Sequence, residues 1–244
     1  MKLMTKVQWS SCGRTHVGMV RTINQDCFAD LPDKHLWVVA DGMGGHKDGH
    51  LASNKIVEML KQFEPEKAIG TTVKKIYQCL HEVNQTLIAQ AAETGGNDII
   101  GSTVVVLYAN RQSCIAMWSG DSRIYLFRRG ELKQLTRDHN NEAALLAEGY
   151  SPEEVTVHPY AQILTHAIGG EETVYLDAQI QEVCHGDTFL LCSDGLNKEI
   201  ADSEIEDVLR GMPYQQAMNH LMELALQRGA RDNTTLILVQ ADKA

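Results

Sequence analysis

The sequence lacks the features that mark several specialised classes of protein. No apolar run approaches the ~20 residues that a membrane-spanning helix needs, and residues 1–13 contain no apolar core of a signal peptide. The six cysteines include no C-x-x-C pair, so they indicate neither a zinc knuckle nor a thioredoxin-like site. Low-complexity segments and internal repeats are absent as well. We therefore expect a cytoplasmic protein with reduced, structural cysteines.

Basic residues are scarce relative to acidic ones. The 244 residues include 22 Lys and Arg against 32 Asp and Glu, which gives a formal net charge of −10. Such a charge disfavours nucleic acid or an anionic membrane as a partner, because both repel an acidic surface. The hydrophobic share of 43% and the charged share of 22% are typical of a globular protein. We expect one monomeric domain over residues 1–244, without a nucleic-acid or membrane partner.

A buried strand followed by a glycine-rich turn is the feature around which we expect the chain to fold. Five consecutive apolar residues, Leu36 to Ala40, are typical of a strand buried on both faces. The next five residues are Asp41-Gly42-Met43-Gly44-Gly45. Glycine lets other groups approach the backbone closely, so a carboxylate at this strand end is well placed to hold a cation. The alternative is a tight turn with a solvated aspartate.

The rest of the chain alternates between helix and strand signals. Helical spacing predicts Ala52–Phe63, Val73–Leu87, a helix opened by Ser203-x-x-Glu206, and Ala217–Ala225. Short strands are predicted between Thr103 and Leu135, at Val174–Ile180, at Thr188–Cys192 and at Thr234–Val239. Residues 140–165 have little strand signal and predict a flap with a short helix from Asn140 to Glu148. This order of elements indicates an α+β fold.

Four aspartates stand beside apolar strands, namely Asp41, Asp121, Asp194 and Asp232. If the strand ends converge on one cleft, the carboxylates repel each other unless they are protonated or bridged by cations. A set of oxygen ligands without histidine or cysteine favours Mg²⁺ or Mn²⁺ over zinc. A single aspartate of this kind is more often a cap or turn residue. The four together favour a metal site.

Seven motifs give the chain a family resemblance. They are, in order, Arg21-Thr22-Ile23-Asn24-Gln25-Asp26, Asp41-Gly42-Met43-Gly44-Gly45-His46, Gly101-Ser102-Thr103, Gly120-Asp121-Ser122-Arg123, Leu135-Thr136-x-Asp138-His139, Ser193-Asp194-Gly195 and Arg231-Asp232-Asn233-Thr234-Thr235. With these motifs, which cover nearly the whole chain, it resembles the metal-dependent protein phosphatases of the PPM family (type 2C), in their short bacterial form. The resemblance implies an αββα sandwich, in which two antiparallel sheets pack face to face between helices.

The resemblance also implies two divalent ions, Mn²⁺ or Mg²⁺, and a weaker third. Asp41 would bridge the first two, and the Gly42 carbonyl would bind the second. Asp194 and Asp232 would hold the first ion. Asp121 would hold the third with help from Asp194.

Three further residues receive catalytic roles by the same resemblance. Asp26 would order metal-bound water, and Arg21 would bind the substrate phosphate. Many eukaryotic members have Glu at the position of Gln25 and His at that of Met43. Because Met43 cannot donate a proton, His46 is the candidate acid for the leaving group.

The function implied is hydrolysis of phosphoserine and phosphothreonine in proteins, by a water or hydroxide bridging two ions. The expected partners are phosphorylated proteins and a bacterial Ser/Thr kinase whose action the enzyme reverses. No cysteine has an arginine six positions later, the spacing of cysteine-dependent phosphatases. Two alternatives stay open: a catalytically silent binding module of the same family, and a metal-dependent hydrolase of small phosphoesters.

Overall fold

A computed structural model describes residues 7–44, 48–66, 68–93, 99–110 and 113–243. The strands are β1 (Val7–His16), β2 (Asp26–Leu31), β3 (Leu36–Met43), β4 (Gly101–Ser102), β5 (Val104–Asn110), β6 (Ser113–Ser119), β7 (Arg123–Arg128), β8 (Glu131–Gln134), β9 (Asp177–Glu182), β10 (Thr188–Cys192) and β11 (Thr234–Lys243). The helices are α1 (Asp48–Lys61), α2 (Ile69–Glu93), α3 (Glu142–Glu148), α4 (Pro152–Thr156), α5 (Asp194–Asn197), α6 (Asp202–Gly211) and α7 (Tyr214–Gln227).

The strands form two antiparallel sheets. One has the order β1-β11-β10-β7-β8, and the other has the order β2-β3-β5-β6-β9 with β4 paired to β3. The N-terminal strand therefore pairs with the C-terminal one, residue by residue from Val7 opposite Lys243 to His16 opposite Thr234. This pairing brings the segment that follows His16 next to the segment that precedes Thr234.

Alternation along the central strands decides which core each side chain enters. On β3, Leu36, Val38 and Ala40 face helices α1 and α2, whereas Trp37 and Val39 face the other sheet. This is the two-residue period of a strand buried on both faces. The run Leu36 to Ala40 is thus confirmed as such a strand.

In the part of the chain that the structure describes, the two sheets and their helices form four layers with three large cores. One core lies between α1, α2 and the sheet of β3, and another lies between the sheet of β10 and helices α5 to α7. The third lies between the two sheets, where Trp9 of β1 contacts Trp37 and Phe189 with ring centroids 5.4 and 6.2 Å apart. Each fully buried side chain of this size contributes about 1.5–3 kcal/mol. The predicted αββα sandwich is confirmed.

Several predicted boundaries differ from the structure, among them those of β3, β9 and α6. Strand β3 continues past Asp41 to Met43, because Gly42 and Met43 pair with β4. Strand β9 begins at Asp177 and not at Val174. Helix α6 begins at Asp202, where Glu204 accepts a hydrogen bond from the Ala201 N–H at 3.2 Å.

The segment 140–165 contains α3 and α4, and it has a small core of its own formed by Leu145, Val155 and Ala161. Helix α3 is capped at its C-terminus by Gly149, whose backbone is in the left-handed conformation, as the sequence indicates. Helix α4 has a capping box between Ser151 and Glu154. The segment is thus folded on itself, and it is joined to the rest by backbone hydrogen bonds such as Thr165 N to His139 O at 2.8 Å.

Candidate active site

The backbone of Asp41 is fixed by hydrogen bonds to the motif that comes next in the chain, residues 101–103. The Asp41 carbonyl accepts hydrogen bonds from Thr103 N at 2.8 Å and from Ser102 Oγ at 2.9 Å. The Asp41 N–H donates to Thr103 Oγ1 at 3.2 Å. Ser102 and Thr103 thereby hold Asp41 in place, a role that the sequence alone did not assign to them.

Asp26 lies directly opposite Asp41 in the β2–β3 register and is buried. Its Oδ2 accepts a hydrogen bond from Ser193 Oγ at 2.7 Å, and that hydroxyl accepts from Thr235 N at 3.0 Å. Its Oδ1 is buried without a hydrogen-bond partner in the described part of the chain. Burial, with the charge of Asp194 adding to it, raises the pKa of Asp26 to about 6. An ionised Asp26 therefore needs a further cation or donor.

Gly42 permits a close contact between β3 and the start of α1. A Cβ at this position would lie 1.9 Å from the carbonyl oxygen of Gly49 and 2.8 Å from that of Gln25. The Gly42 N–H donates to the Gln25 carbonyl at 3.1 Å. A side chain here would push the helix away from the strand end, so the fold requires glycine next to Asp41.

Asp121 is positioned by a left-handed glycine and a buried histidine. Gly120 has φ of +108°, and a Cβ there would lie 2.6 Å from Thr103 Cβ. His139 forms two hydrogen bonds with Gly120. The backbone N–H of His139 donates to the Gly120 carbonyl at 3.0 Å, and His139 Nδ1 accepts from the Gly120 N–H at 3.2 Å. Burial, with the charge of Asp194 adding to it, raises the pKa of Asp121 to about 7.

Asp194 follows β10 and begins the short helix α5. Its Oδ1 is buried and has no hydrogen-bond partner within the described residues, whereas its Oδ2 contacts the ammonium of Lys198. A Cβ on Gly195 would lie 1.9 Å from the Asn233 carbonyl oxygen. The turn after β10 and the turn before β11 are therefore in direct contact.

The loop that contains Arg21 and the turn that contains Asp232 are held together by the buried amide of Asn233. Asn233 Nδ2 donates to the carbonyls of Val17 and Ile23 at 2.8 and 3.0 Å, which ties the loop that carries Arg21 to the start of β11. Arg21 Nη2 lies 2.9 Å from Asp232 Oδ2. The Arg21 side chain is 54% exposed, which is consistent with a place at the rim of the site.

Five carboxylates lie close enough for their charges to interact. Burial raises the pKa of Asp41 well above its ordinary value, and the charges of Asp26, Asp194, Asp121 and Asp232 raise it further. An adjoining cavity of about 670 Å³, here called the acidic cleft, is lined by Arg21, Asp121, Arg123, Asp138, Glu142, Thr156, Gln162, Asp194, Gly195, Asn197, Lys198, Glu199, Arg231 and Asp232. The helical segment 140–165 contributes one wall of this cleft.

The donor set fits small divalent cations. All the converging side chains are carboxylates, and two of their oxygens, Asp26 Oδ1 and Asp194 Oδ1, are buried without a hydrogen-bond partner in the described ranges. Within those ranges, no group of three or more His, Cys, Asp or Glu side chains is arranged as a cage that could hold a metal ion. Mg²⁺ does not require such a cage, because it keeps several waters and binds through one or two carboxylates.

The structure thus brings Asp26, Asp41, Asp121, Asp194 and Asp232, which belong to segments at the ends of different strands, near one another, and it places Arg21 at the rim. His46 lies outside the described residues. The side chain of Met43 packs against Gly101: a Cβ added to Gly101 would lie 2.8 Å from the Cε of Met43.

Sequence reasoning missed Lys198, although it stands four residues after Asp194. This is the spacing at which one side chain reaches another across a helical turn.

Comparison with known proteins gives a family match over most of the chain. The family model described as protein phosphatase 2C matches residues 12–236. The serine/threonine protein phosphatase PstP of Mycobacterium tuberculosis is 33% identical over 92% of this chain, which spans 43% of that protein's length. The protein phosphatase PhpP of Streptococcus pneumoniae is 34% identical, with 94% of this chain and 96% of that protein covered.

Solved structures agree with this match. PppA of Pseudomonas aeruginosa, described as a key regulatory component of T6SS, has a TM-score of 0.89 and 38% identity, with 97% of this chain and 99% of that chain covered. The catalytic domain of PstP in complex with two manganese ions has a TM-score of 0.84 and 29% identity, with 98% and 100% covered.

Proposed function

Because the chain belongs to the protein phosphatase 2C family, we propose that it hydrolyses phosphoserine and phosphothreonine in proteins with Mn²⁺ or Mg²⁺ as cofactor. The observation that carries the proposal is the convergence of five aspartates beside a cleft with an arginine at its rim. The PstP catalytic domain holds two manganese ions in the same fold, which supports a centre of at least two ions here.

The aspartates would divide the ions among them. Asp41 would bridge two ions, with the Gly42 carbonyl on the second, and Asp194 and Asp232 on the first. Asp121 would hold a third together with Asp194. When bound, the ions supply a nucleophilic water at neutral pH and neutralise the charge that develops on the phosphoryl oxygens.

Two other side chains prepare the site for phosphate. Asp26 is held opposite Asp41 by the hydroxyl of Ser193, and its second oxygen would orient a water bound to the ions. Arg21 presents a planar fork of N–H donors that matches two phosphate oxygens and aligns the ester for in-line attack.

We propose His46 as the group that protonates the leaving serine or threonine oxygen. It is three residues beyond Met43, whose thioether has no proton to donate. His46→Gln should lower kcat for phosphopeptides much more than for para-nitrophenyl phosphate, whose leaving group needs no proton. An equal effect on both substrates would reject this assignment.

The decisive test of function uses the full chain with Mn²⁺ on phosphoserine and phosphothreonine peptides, para-nitrophenyl phosphate and small phosphate metabolites. We expect turnover of the peptides with the highest kcat/KM, loss of activity in excess chelator, and no activity in Asp41→Asn. Absence of turnover on every substrate would favour the silent binding module. A preference for metabolites would favour the hydrolase of small phosphoesters.

We also propose that a Ser/Thr kinase forms the phosphoproteins that this enzyme consumes, and that the enzyme acts as a monomer in the cytoplasm. In the described ranges, no helix combines the length and apolar character required to cross a bilayer. A kinase gene beside this one would support the pairing, and the test is dephosphorylation of that kinase and its products. Sedimentation tests the monomer, and fractionation tests the location.

A further inference from the structure

The acidic cleft contains a lysine whose observed partner is one of the proposed metal ligands. Lys198 stands directly after helix α5, and its backbone N–H donates to the Asp194 carbonyl at 2.9 Å. Its side chain turns back across the same turn, so the ammonium contacts Asp194 Oδ2. The lysine side chain is 39% exposed and the aspartate side chain 13%, so the contact is partly shielded from water.

Two other cations of the cleft are held by acids that we do not assign to the metals. Arg123 forms a two-pronged contact with Asp138, from Nε and Nη2 at 3.0 and 2.8 Å. Arg231 Nε lies 2.9 Å from Glu199 Oε1. These two guanidinium groups are therefore neutralised outside the group of five aspartates. Two cations act on proposed metal ligands: Arg21 on Asp232 at the exposed rim, and Lys198 on the more buried Asp194.

An ammonium and a divalent ion compete for the same carboxylate oxygen. A cation that binds Asp194 through Oδ2 must displace the lysine, and one that binds through the free Oδ1 stays within a few ångströms of its charge. Repulsion between like charges at this distance is substantial in a partly shielded site. Each of these arrangements makes ion binding weaker than it would be without the lysine.

We propose that Lys198 is a tethered competitor of the metal ions, which sets the Mn²⁺ or Mg²⁺ concentration at which the ions held by Asp194 bind. The proposal rests on the metal role of Asp194 in the proposed function. It makes Lys198 a positioning residue, because it acts through Asp194 and not on the substrate. It also gives the ammonium a use at low metal, when it offsets part of the repulsion among the aspartates.

The test is calorimetric titration of Mn²⁺ into the full chain and its variants, with no substrate present. Lys198→Met removes the charge and keeps the length of the side chain, and it should lower the Mn²⁺ concentration for half-saturation by about tenfold. Lys198→Arg keeps the charge and should stay within about twofold of the original protein. Lys61→Met is the matched control, because Lys61 also pairs with an acid but lies at the end of α1 outside the cleft.

The same lysine substitution in an Asp194→Asn protein tests whether Lys198 acts through Asp194. In Asp194→Asn, adding Lys198→Met should bring little further gain in Mn²⁺ affinity, because the contested oxygen no longer has its charge. The proposal is overturned if Lys198→Met binds Mn²⁺ no better than the original protein, if Lys61→Met gains as much, or if no protein binds Mn²⁺. Mn²⁺ binding with the expected order but without phosphatase activity would instead reject the proposed function alone.

Discussion

Arg21 and Asp121 both line the acidic cleft, but their charges and partners assign them different roles. Arg21 is exposed at the rim, where it can contact phosphate in the ground state and the transition state. Arg21→Ala should therefore lose about 2–3 kcal/mol of transition-state binding, or roughly two orders of magnitude in kcat/KM. Added Mn²⁺ should not restore the activity, since removing a positive charge next to Asp232 does not weaken ion binding.

Asp121→Asn should fail in another way. Asp121 is proposed to hold only the third ion, so the variant keeps the pair of ions bridged by Asp41. Its loss of activity should shrink as the Mn²⁺ concentration rises. The measurement is phosphopeptide turnover against Mn²⁺ concentration for both variants. An identical metal response would mean that at least one of the two roles is wrong.

Single residues differ in how readily their roles follow from sequence. Four aspartates, Asp41, Asp121, Asp194 and Asp232, could be singled out because each stands beside an apolar strand, whereas Asp26 was assigned only through the resemblance. The contact of Lys198 with Asp194 is local and follows from their spacing of four residues. Ser193 could not be assigned a partner, because its contact depends on where segments from different strands meet. The hydroxyl of Ser193 contacts Asp26, which is 167 residues away in the chain.

The turn before β11 is an element whose stability depends on one side chain. The buried amide of Asn233 donates to two carbonyls, and its Oδ1 accepts from Gln25 N at 2.8 Å. Asn233→Ala leaves these three groups without their partner and should lower the free energy of unfolding by about 3 kcal/mol. Equilibrium urea unfolding measures this. Asn233→Asp places a buried carboxylate oxygen against the carbonyls of Val17 and Ile23, so it should destabilise the fold at least as much as Asn233→Ala. Equal stability of the original protein and both variants would contradict the role.

The loop between β1 and β2 exposes large apolar side chains beside Arg21. Met19 and Val20 are 66% and 65% exposed, although the loop itself is tied to Ala230 by the Met19 N–H at 2.9 Å. If the substrate is a protein, these side chains should pack on residues next to the phosphorylated one. Replacing both by serine should raise KM for phosphopeptides by about threefold to tenfold, since each loses part of a contact of 1–2 kcal/mol.

The same pair of substitutions should leave para-nitrophenyl phosphate turnover unchanged, because that substrate has no flanking residues. Ile180→Ser is a suitable control, since Ile180 on β9 is also exposed but lies outside the loop that carries Arg21. Equal losses on the peptide and on para-nitrophenyl phosphate would indicate that the loop supports the site and does not bind protein.

Elements were predicted well where the apolar period is strong. The helices on either side of Pro65 and the strands β5, β6 and β10 lie where their spacing predicts them. The end of β3 was predicted too early because its last two residues are Gly42 and Met43, whose extended conformation depends on pairing with β4. Residues 140–165 form one wall of the cleft, and their movement as a flap stays a prediction.

For the whole molecule, the layer order could be predicted only through the resemblance. Periodicity identified strands and helices, but it does not state which strands pair. The pairing of β1 with β11 joins the two ends of the described chain and positions both Arg21 and Asp232. Such long-range pairing depends on how complete sheets pack together and not on local periodicity. The order of the family motifs therefore predicted the fold better than the periodicity did.

Stability of the whole protein should depend on pH and on divalent ions together. The carboxyl pKa is raised by burial in Asp26 to about 6 and in Asp121 to about 7, and in Asp41 it also lies well above its ordinary value. A carboxyl whose folded pKa is raised stabilises the fold in its protonated form, which is fully present below about pH 4. This stability is lost as pH rises through the folded values. With chelator present, Tm should therefore fall between pH 5 and pH 8.

Bound Mn²⁺ should reverse this trend, because ions bind the ionised carboxylates. The increase in Tm on adding Mn²⁺ should be larger at pH 8 than at pH 5, by about 5 °C for a chain of this size. Asp121→Asn removes one of the groups that titrate, so it should flatten the fall in chelator and reduce the gain from Mn²⁺. Differential scanning fluorimetry over pH 5–8, with chelator or with Mn²⁺, measures all of these values. A Tm in chelator that rises steadily to pH 8 would mean that repulsion among the aspartates does not limit the stability of the fold.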